Sequence, residues 1–237
     1  MPNQYFRFKQ FLVEQDQCTM KVCTDACILG AWFADKKGNH ISILDIGSGT
    51  GLLMMMLAQK NNAEIDGIEI DLPSYKQSKL NLAGSPWKER LHLYPGDVRS
   101  FSFGKSYDFI ISNPPFYEKD LRSPSARTNI ARHSDELALD ELMKACKRLL
   151  KTSGEFGLLM PASRTQETEE AARAEGFYLS EKLCIRQTPA HAYFRVIFLF
   201  SRHEEKNTAV YELSIQDETG KYTEEFRDLL RDYYLAF

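Results

Sequence analysis

The chain of 237 residues lacks any uncharged apolar run near the roughly 18–20 residues that span a bilayer. Its opening residues, Met1-Pro2-Asn3-Gln4-Tyr5-Phe6-Arg7-Phe8-Lys9, have no apolar core of the kind a secretory signal requires. A soluble, cytoplasmic protein with no membrane partner is therefore expected. No charge of one sign dominates: 30 Lys and Arg stand against 33 Asp and Glu, a formal net charge of −3. That excludes a global field for nucleic acid and leaves only a local basic face for the purpose. Cysteine is scarce and unpatterned. Cys18, Cys23 and Cys27 are spaced x4 then x3, which fits neither a zinc nor an iron–sulfur motif, and Cys146 and Cys184 stand alone. All five are expected to be reduced thiols. The five histidines form no His-x3-His pair, so no metal is expected. Gly104-Lys105-Ser106 ends like a phosphate-binding loop, but Arg99 holds the place of its earlier glycine.

What is present is an ordinary globular composition, 43% hydrophobic and 27% charged. Short apolar, β-branched runs alternate with helical patterns. Ile41–Ile46, Ala63–Ile70, Leu91–Tyr94, Tyr107–Ser112 and Glu155–Met160 read as buried strands. Leu52–Lys60, Leu72–Ala83 and Asp140–Lys151 read as helices, the last stopped by Gly154. Repeated β–α units imply a mostly parallel sheet with helices on both faces. Phe177–Ile185 and Tyr193–Ser201 leave no room for a crossover helix between them, so they predict an antiparallel hairpin and bring the sheet to seven strands. Val210–Ile215 is a possible edge strand, and Thr223–Leu235 reads as a short amphipathic helix. With no repeat or linker, one domain over 1–237 is expected, an extension of 1–38 preceding a Rossmann-like core of 39–237.

The sharpest local signal is Asp45-Ile46-Gly47-Ser48-Gly49-Thr50-Gly51 at the end of the first strand. Glycines at i, i+2 and i+4 let the backbone turn tightly and approach a ligand at a helix N-terminus. A dinucleotide fingerprint wants its third glycine at i+5, where Leu52 stands. The spacing suits a compact nucleoside with an amino-acid tail. Glu69, 22 positions after Gly47, ends the second strand, where a carboxylate can accept from both ribose hydroxyls. Asp97 follows the third strand, placed to meet an adenine edge. Each acid alone reads as a turn or cap residue. At three successive strand ends, Asp45, Glu69 and Asp97 together point to S-adenosylmethionine, with Gly47, Ser48, Gly49 and Gly51 beneath it.

The fourth strand ends in Asn113-Pro114-Pro115-Phe116. An Asn-Pro pair is also a common turn. After those cofactor signals it carries chemistry: two prolines fix the backbone and remove two N–H donors, freeing the Pro114 carbonyl. The exocyclic amine of a planar base is a poor nucleophile because its lone pair is delocalised. The Asn113 oxygen and the Pro114 carbonyl can accept its hydrogens and push the nitrogen toward a tetrahedral shape. Phe116 can stack on a base taken out of its surroundings.

These motifs resemble the amino-methyltransferases that act on adenine N6, guanine N2 or glutamine N5. More specifically, the chain resembles the bacterial tRNA1(Val) (adenine(37)-N6)-methyltransferase family. Phe6-Arg7-Phe8-Lys9-Gln10-Phe11, Met20-Lys21-Val22-Cys23-Thr24-Asp25-Ala26, Leu29-Gly30-Ala31-Trp32, Ala131-Arg132-His133 and Tyr222–Leu235 carry that resemblance over essentially the whole chain. It implies a class I methyltransferase fold, S-adenosylmethionine as cofactor, a tRNA substrate and no obligate protein partner. It also implies that the N-terminal extension lies over the cofactor, with Thr24 and Asp25 near its methionine end. Thr24 is equally a natural N-cap for a helix over 25–33. Cys23 departs from the glycine usual in the family, and a positive φ there would be strained. Lys119, Arg122, Arg127 and Arg132 follow the catalytic motif as a basic loop suited to RNA phosphates. Lys144, Lys147, Arg148 and Lys151 read as one helix that extends the patch or is simply solvated, and His133 as a satisfied loop residue. The alternatives are guanine-N2 methylation of ribosomal RNA, glutamine-N5 methylation of a protein, and a non-catalytic RNA-binding module on the same fold.

Overall fold

The computed structural model describes residues 3–18, 20–34, 36, 42–115, 137–204 and 207–237. Phe116, Lys119, Arg122, Arg127, Arg132 and His133 lie outside the described residues.

Strands β3 (Ser42–Ile46), β4 (Glu64–Glu69), β5 (Leu91–Pro95), β6 (Tyr107–Ser112) and β7 (Leu150–Pro161) form a parallel array. Beyond β7 come β9 (Tyr193–Ser201), β8 (Tyr178–Arg186) and β10 (Ala209–Ser214), giving the order β10-β8-β9-β7-β6-β3-β4-β5. β9 is antiparallel to both neighbours, and β10 is parallel to β8. The mostly parallel Rossmann-like sheet with its hairpin is therefore present. β10 takes the place of the possible edge strand and makes eight strands in all. A separate antiparallel pair, β1 (Tyr5–Arg7) and β2 (Leu12–Glu14), precedes the sheet, its three-residue strands too short to show a period in the sequence.

Alternation along each strand builds two cores. Ile43, Phe109, Ile111, Leu159 and Ile197 face one side, where α1 (Thr24–Ala34) and α2 (Leu52–Lys60) pack. Leu44, Ile110, Leu158 and Phe198 face the other, against α4 (Leu139–Leu149) and α5 (Thr165–Ala174). This is the two-residue period of a strand buried on both faces. α2 buries every residue from Leu52 to Ala58, as a helix enclosed on all sides must. α3 (Leu72–Ala83) and α6 (Glu224–Leu230) complete the described α-helices. α3 starts at Asp71, whose carboxylate accepts from the Ser74 N–H at 2.9 Å.

Two local readings are corrected. α4 ends at Leu149 without a glycine, and β7 begins at Leu150. Gly154 lies inside β7, where the register jumps from Tyr107 opposite Leu150 to Phe109 opposite Glu155. A Cβ on Gly154 would come within 2.8 Å of Leu150, so the bulge requires glycine. Lys151 consequently belongs to the strand and not to the helix.

Candidate active site

Gly47, Gly49 and Gly51 have φ of 75°, 53° and 79°, the left-handed region that other residues rarely enter. The turn they build is tied to the neighbouring strand, since the Gly47 and Ser48 N–H groups both donate to the Ile68 carbonyl. Gly51 sits at the start of α2, and a Cβ there would meet Ser78 Oγ at 2.7 Å. Over Gly47 a Cβ would meet nothing within 4 Å. The floor is therefore tight below and open above, as a ligand approaching backbone at a helix N-terminus needs.

Asp45, on β3, is fully buried, and neither carboxylate oxygen has a hydrogen-bond partner. Burial, and secondarily the charge of Glu69, pushes its carboxyl up to about 8. Glu69 ends β4 and is 7% exposed. Its Oε2 accepts the Gly49 N–H and its Oε1 the Asp71 N–H, both at 2.8 Å. Burial raises its pKa while those backbone donors oppose the rise. Each oxygen keeps a second lone pair, so Glu69 shapes the glycine turn and still has acceptor capacity for a ligand. Asp97 is more committed. Arg99 Nε contacts both of its oxygens at 3.0 and 2.8 Å, and these bonds hold its carboxyl below the usual range. An adenine edge at Asp97 would share the carboxylate with Arg99.

β3 and β6 are hydrogen-bonded neighbours, with Ile46 opposite Ser112. The next positions along, Gly47 and Asn113, thus lie side by side across one strand spacing of about 4.8 Å. Ser112 Oγ donates to the Ile46 carbonyl at 2.8 Å and fixes that junction. The Asn113 Oδ1 is buried and has no partner. Pro114 is buried and Pro115 exposed. One unpartnered acceptor thus stands on Asn113, beside the turn, and two more on Asp45, two residues before Gly47. Buried acceptors left without donors are costly, and these fit a ligand that brings N–H groups.

The extension reaches the same place. Cys18 Sγ lies 3.8 Å from the Gly49 carbonyl. Asn81, on α3, donates to the carbonyls of Glu14 and Thr50 at 2.8 and 2.9 Å and accepts from the Glu14 N–H. It therefore ties the extension to the glycine turn. Nothing in the local sequence marked Asn81, because its partners are backbone atoms far along the chain. Thr24 and Asp25 line a cavity with Phe194, Gln187 and Gln216, and the Asp25 carboxylate pairs with Arg195 at 2.9 Å. The helix cap also differs, because Thr24 is already helical and the Cys23 carbonyl accepts the Cys27 N–H. The cations on and after α4 each have partners. Lys144 pairs with Asp140, Lys147 with Glu175 and Lys151 with Asp108, while Arg148 donates to the Val98 and Phe101 carbonyls. Among the described residues no metal-binding cluster occurs, and no helix is long and apolar enough to cross a membrane.

A glycine turn, carboxylates ending successive parallel strands and one reversed strand beyond them define a class I S-adenosylmethionine-dependent methyltransferase fold. A predicted O-methyltransferase from Agrobacterium tumefaciens shares it with a TM-score of 0.67 at 16% identity, over 88% of this chain and 96% of that one. The glycopeptide N-methyltransferase MtfA, solved with S-adenosylmethionine, shares it with a TM-score of 0.56 at 12% identity, over 75% of this chain and 94% of that one. A family model for the methyltransferase small domain matches residues 28–182. The chain belongs to the tRNA1(Val) (adenine(37)-N6)-methyltransferase family. The Dyadobacter fermentans protein of that name is 43% identical over 99% of both chains, and the Photorhabdus laumondii protein is 35% identical over 98% of this chain and 96% of that one.

Proposed function

We propose that this chain methylates N6 of an adenine in tRNA, at the position its relatives' name gives, adenine 37 of tRNA1(Val). Its 237 residues act as one domain, in the cytoplasm where tRNA is modified. The observation that carries the reading is the buried, unpartnered Asn113 Oδ1 beside Pro114, one strand away from the glycine turn. S-adenosylmethionine, when bound, supplies a sulfonium methyl group. Gly47, Ser48, Gly49 and Gly51 give it room against the backbone. Asp45 and Glu69 offer acceptors to its polar groups, and Asp97 is offered to its base.

Asn113 Oδ1 and the Pro114 carbonyl accept the two N–H groups of the substrate amine. Those bonds draw the lone pair out of the ring and hold the nitrogen in one orientation, so catalysis comes from positioning. Phe116 stacks on the extruded base. The transfer needs no side-chain nucleophile. The Cys23 thiol, pushed up to about 12 by burial and then by Asp25, has no part in it. Lys119, Arg122, Arg127 and Arg132, following the motif, meet RNA phosphates.

The test is transfer of labelled methyl into total tRNA lacking this modification, with nucleosides analysed by mass spectrometry. N6-methyladenosine is expected. Asn113→Ala should lower turnover about 100-fold or more, with calorimetric affinity for S-adenosylmethionine nearly kept. Label in N2-methylguanosine, or label that survives ribonuclease in a protein, would overturn the substrate assignment.

A further inference from the structure

A second concave site lies at the same end of the sheet, beyond β7. It is a cavity of about 270 Å³ lined by Thr24, Gln187, Phe194, Ile215, Gln216 and Tyr222, with Asp25 at its edge. A volume just under the roughly 300 Å³ where small-molecule pockets begin admits one aromatic fragment. Its position follows from the register: Ser112 is opposite Leu158, and Leu158 is opposite Phe198. Asn113 is therefore level with Ile197, and Phe194 stands three residues farther toward the catalytic edge. β9 is two strands from β6, about 10 Å sideways, and three residues add about 10 Å along the strand, which puts Phe194 about 14 Å from Asn113.

The lining is chemically specific. Gln187 Nε2 donates to Gln216 Oε1 at 2.9 Å, and among the described residues neither side-chain amide makes another hydrogen bond. The joined pair thus keeps a carbonyl acceptor on Gln187 and an amide donor on Gln216 for a ligand. Both are held by their backbones, since the Gln216 N–H donates to the Gln187 carbonyl at 2.8 Å. Tyr222 bridges back to Gln216 through a hairpin turn that the Asp217 carboxylate locks by accepting from the N–H groups of Thr219 and Lys221. The Tyr222 ring is 49% exposed and stacks on Phe226, with centroids 5.1 Å apart. A half-bare, immobilised ring beside a preset acceptor–donor edge is how single-stranded RNA bases are held: by stacking, and by bonds to their edges.

We propose that this cavity is a subsite for a second nucleobase of the RNA, adjacent to the methylated adenine, stacked on Tyr222 and read by the Gln187–Gln216 amide pair. The proposal rests on the tRNA reading above and adds a source of sequence selectivity that Asn113 and the prolines do not supply. No bond is made or broken here; the subsite fixes which adenine reaches the reaction centre.

The test uses the full chain and a panel of tRNA transcripts that differ only in the two nucleotides flanking the target adenine. Wild type is expected to discriminate among them in kcat/KM by about tenfold, the scale of one base edge read by a hydrogen-bonded pair. Gln216→Glu keeps the acceptor for Gln187 but removes the outward donor, and it should flatten that discrimination. Added negative charge alone would weaken every transcript equally and leave the spread intact. Tyr222→Ala should raise KM for all transcripts by about tenfold while kcat changes little. Calorimetric affinity for S-adenosylmethionine, held in both variants, separates these effects from misfolding. Equal spread in wild type and Gln216→Glu, a wild type indifferent to both flanking bases, or an unchanged KM in Tyr222→Ala overturns the subsite. A wild type that binds S-adenosylmethionine but methylates none of the transcripts overturns the tRNA reading, and the subsite with it.

Discussion

A carboxylate buried as completely as that of Asp45 is costly to ionise, and the cost has a sign that can be followed with pH. In the folded chain burial and the charge of Glu69 raise its pKa from 3.8 to about 8. Between those values the folded state holds a proton that the unfolded state has lost, so stability falls as pH rises through that window. Asp45→Asn should remove this part of the slope, leaving the smaller one that buried Glu69 contributes. Urea unfolding at about pH 5 and about pH 8 reads the difference. A ligand that donates hydrogen bonds to Asp45 favours the ionised form. Binding of S-adenosylmethionine near neutral pH should therefore release a proton, seen as a heat that depends on the ionisation enthalpy of the buffer. Asp45→Asn should bind more weakly and lose that dependence. A buffer-independent heat in wild type would mean that Asp45 stays neutral in the complex.

At the scale of elements, the site depends on a segment that no strand or helix of the sheet contains. Asn81 satisfies three backbone groups at once, two on Glu14 and one on Thr50. Asn81→Ala leaves them without partners, the Thr50 carbonyl in a buried place and the two Glu14 groups in a part-buried one. The expected cost is about 2–4 kcal/mol, read from the denaturant midpoint, with a larger fractional loss in cofactor affinity than in kcat. An unchanged cofactor affinity would separate the extension from the cofactor site. This tie also marks what was legible beforehand. Among the strands, β3, β4, β6, β7 and β9 are legible because each carries an apolar run buried on both faces, and the glycine spacing and Asn113-Pro114 need no distant partner to be read. The β1–β2 pair has three residues a side, and its turn is set by Phe8 stacked on Phe11 and packed near Tyr234, a contact across the chain. α5 is polar, with only Thr168 and Ala172 buried, so no apolar stripe revealed it. The ion pair of Asp25 with Arg195 joins residues 170 positions apart, so nothing local in the sequence marks it.

For the whole molecule, the two terminal segments close on one another over the face that carries α1 and α2. The Lys9 N–H donates to the Tyr233 carbonyl at 2.8 Å, and its ammonium reaches the carbonyls of Arg231 and Phe237 at 2.6 Å. Phe226, Leu230 and Tyr233 are at most 1% exposed, and Tyr233 donates its hydroxyl to the Met56 carbonyl on α2 at 3.0 Å. Burying each such side chain contributes about 1.5–3 kcal/mol. Their sum is comparable to the roughly 5–15 kcal/mol by which a domain of ordinary stability exceeds its unfolded state. Removing residues 222–237 should therefore abolish cooperative thermal unfolding, not merely lower its midpoint, because it bares Phe6, Phe8 and one side of α1 together. Tyr233→Phe removes the hydroxyl that donates to Met56 and should cost about 1 kcal/mol with the transition still sharp. Circular dichroism melts of the two variants beside the intact chain distinguish the cases. A truncated chain that melts as sharply as the intact one would show that the clasp of the termini lies outside the cooperative unit. The cofactor turn would then owe its order to the sheet alone, and the link from Tyr233 through Lys9, β2 and Asn81 to the glycines would carry no stability to the site.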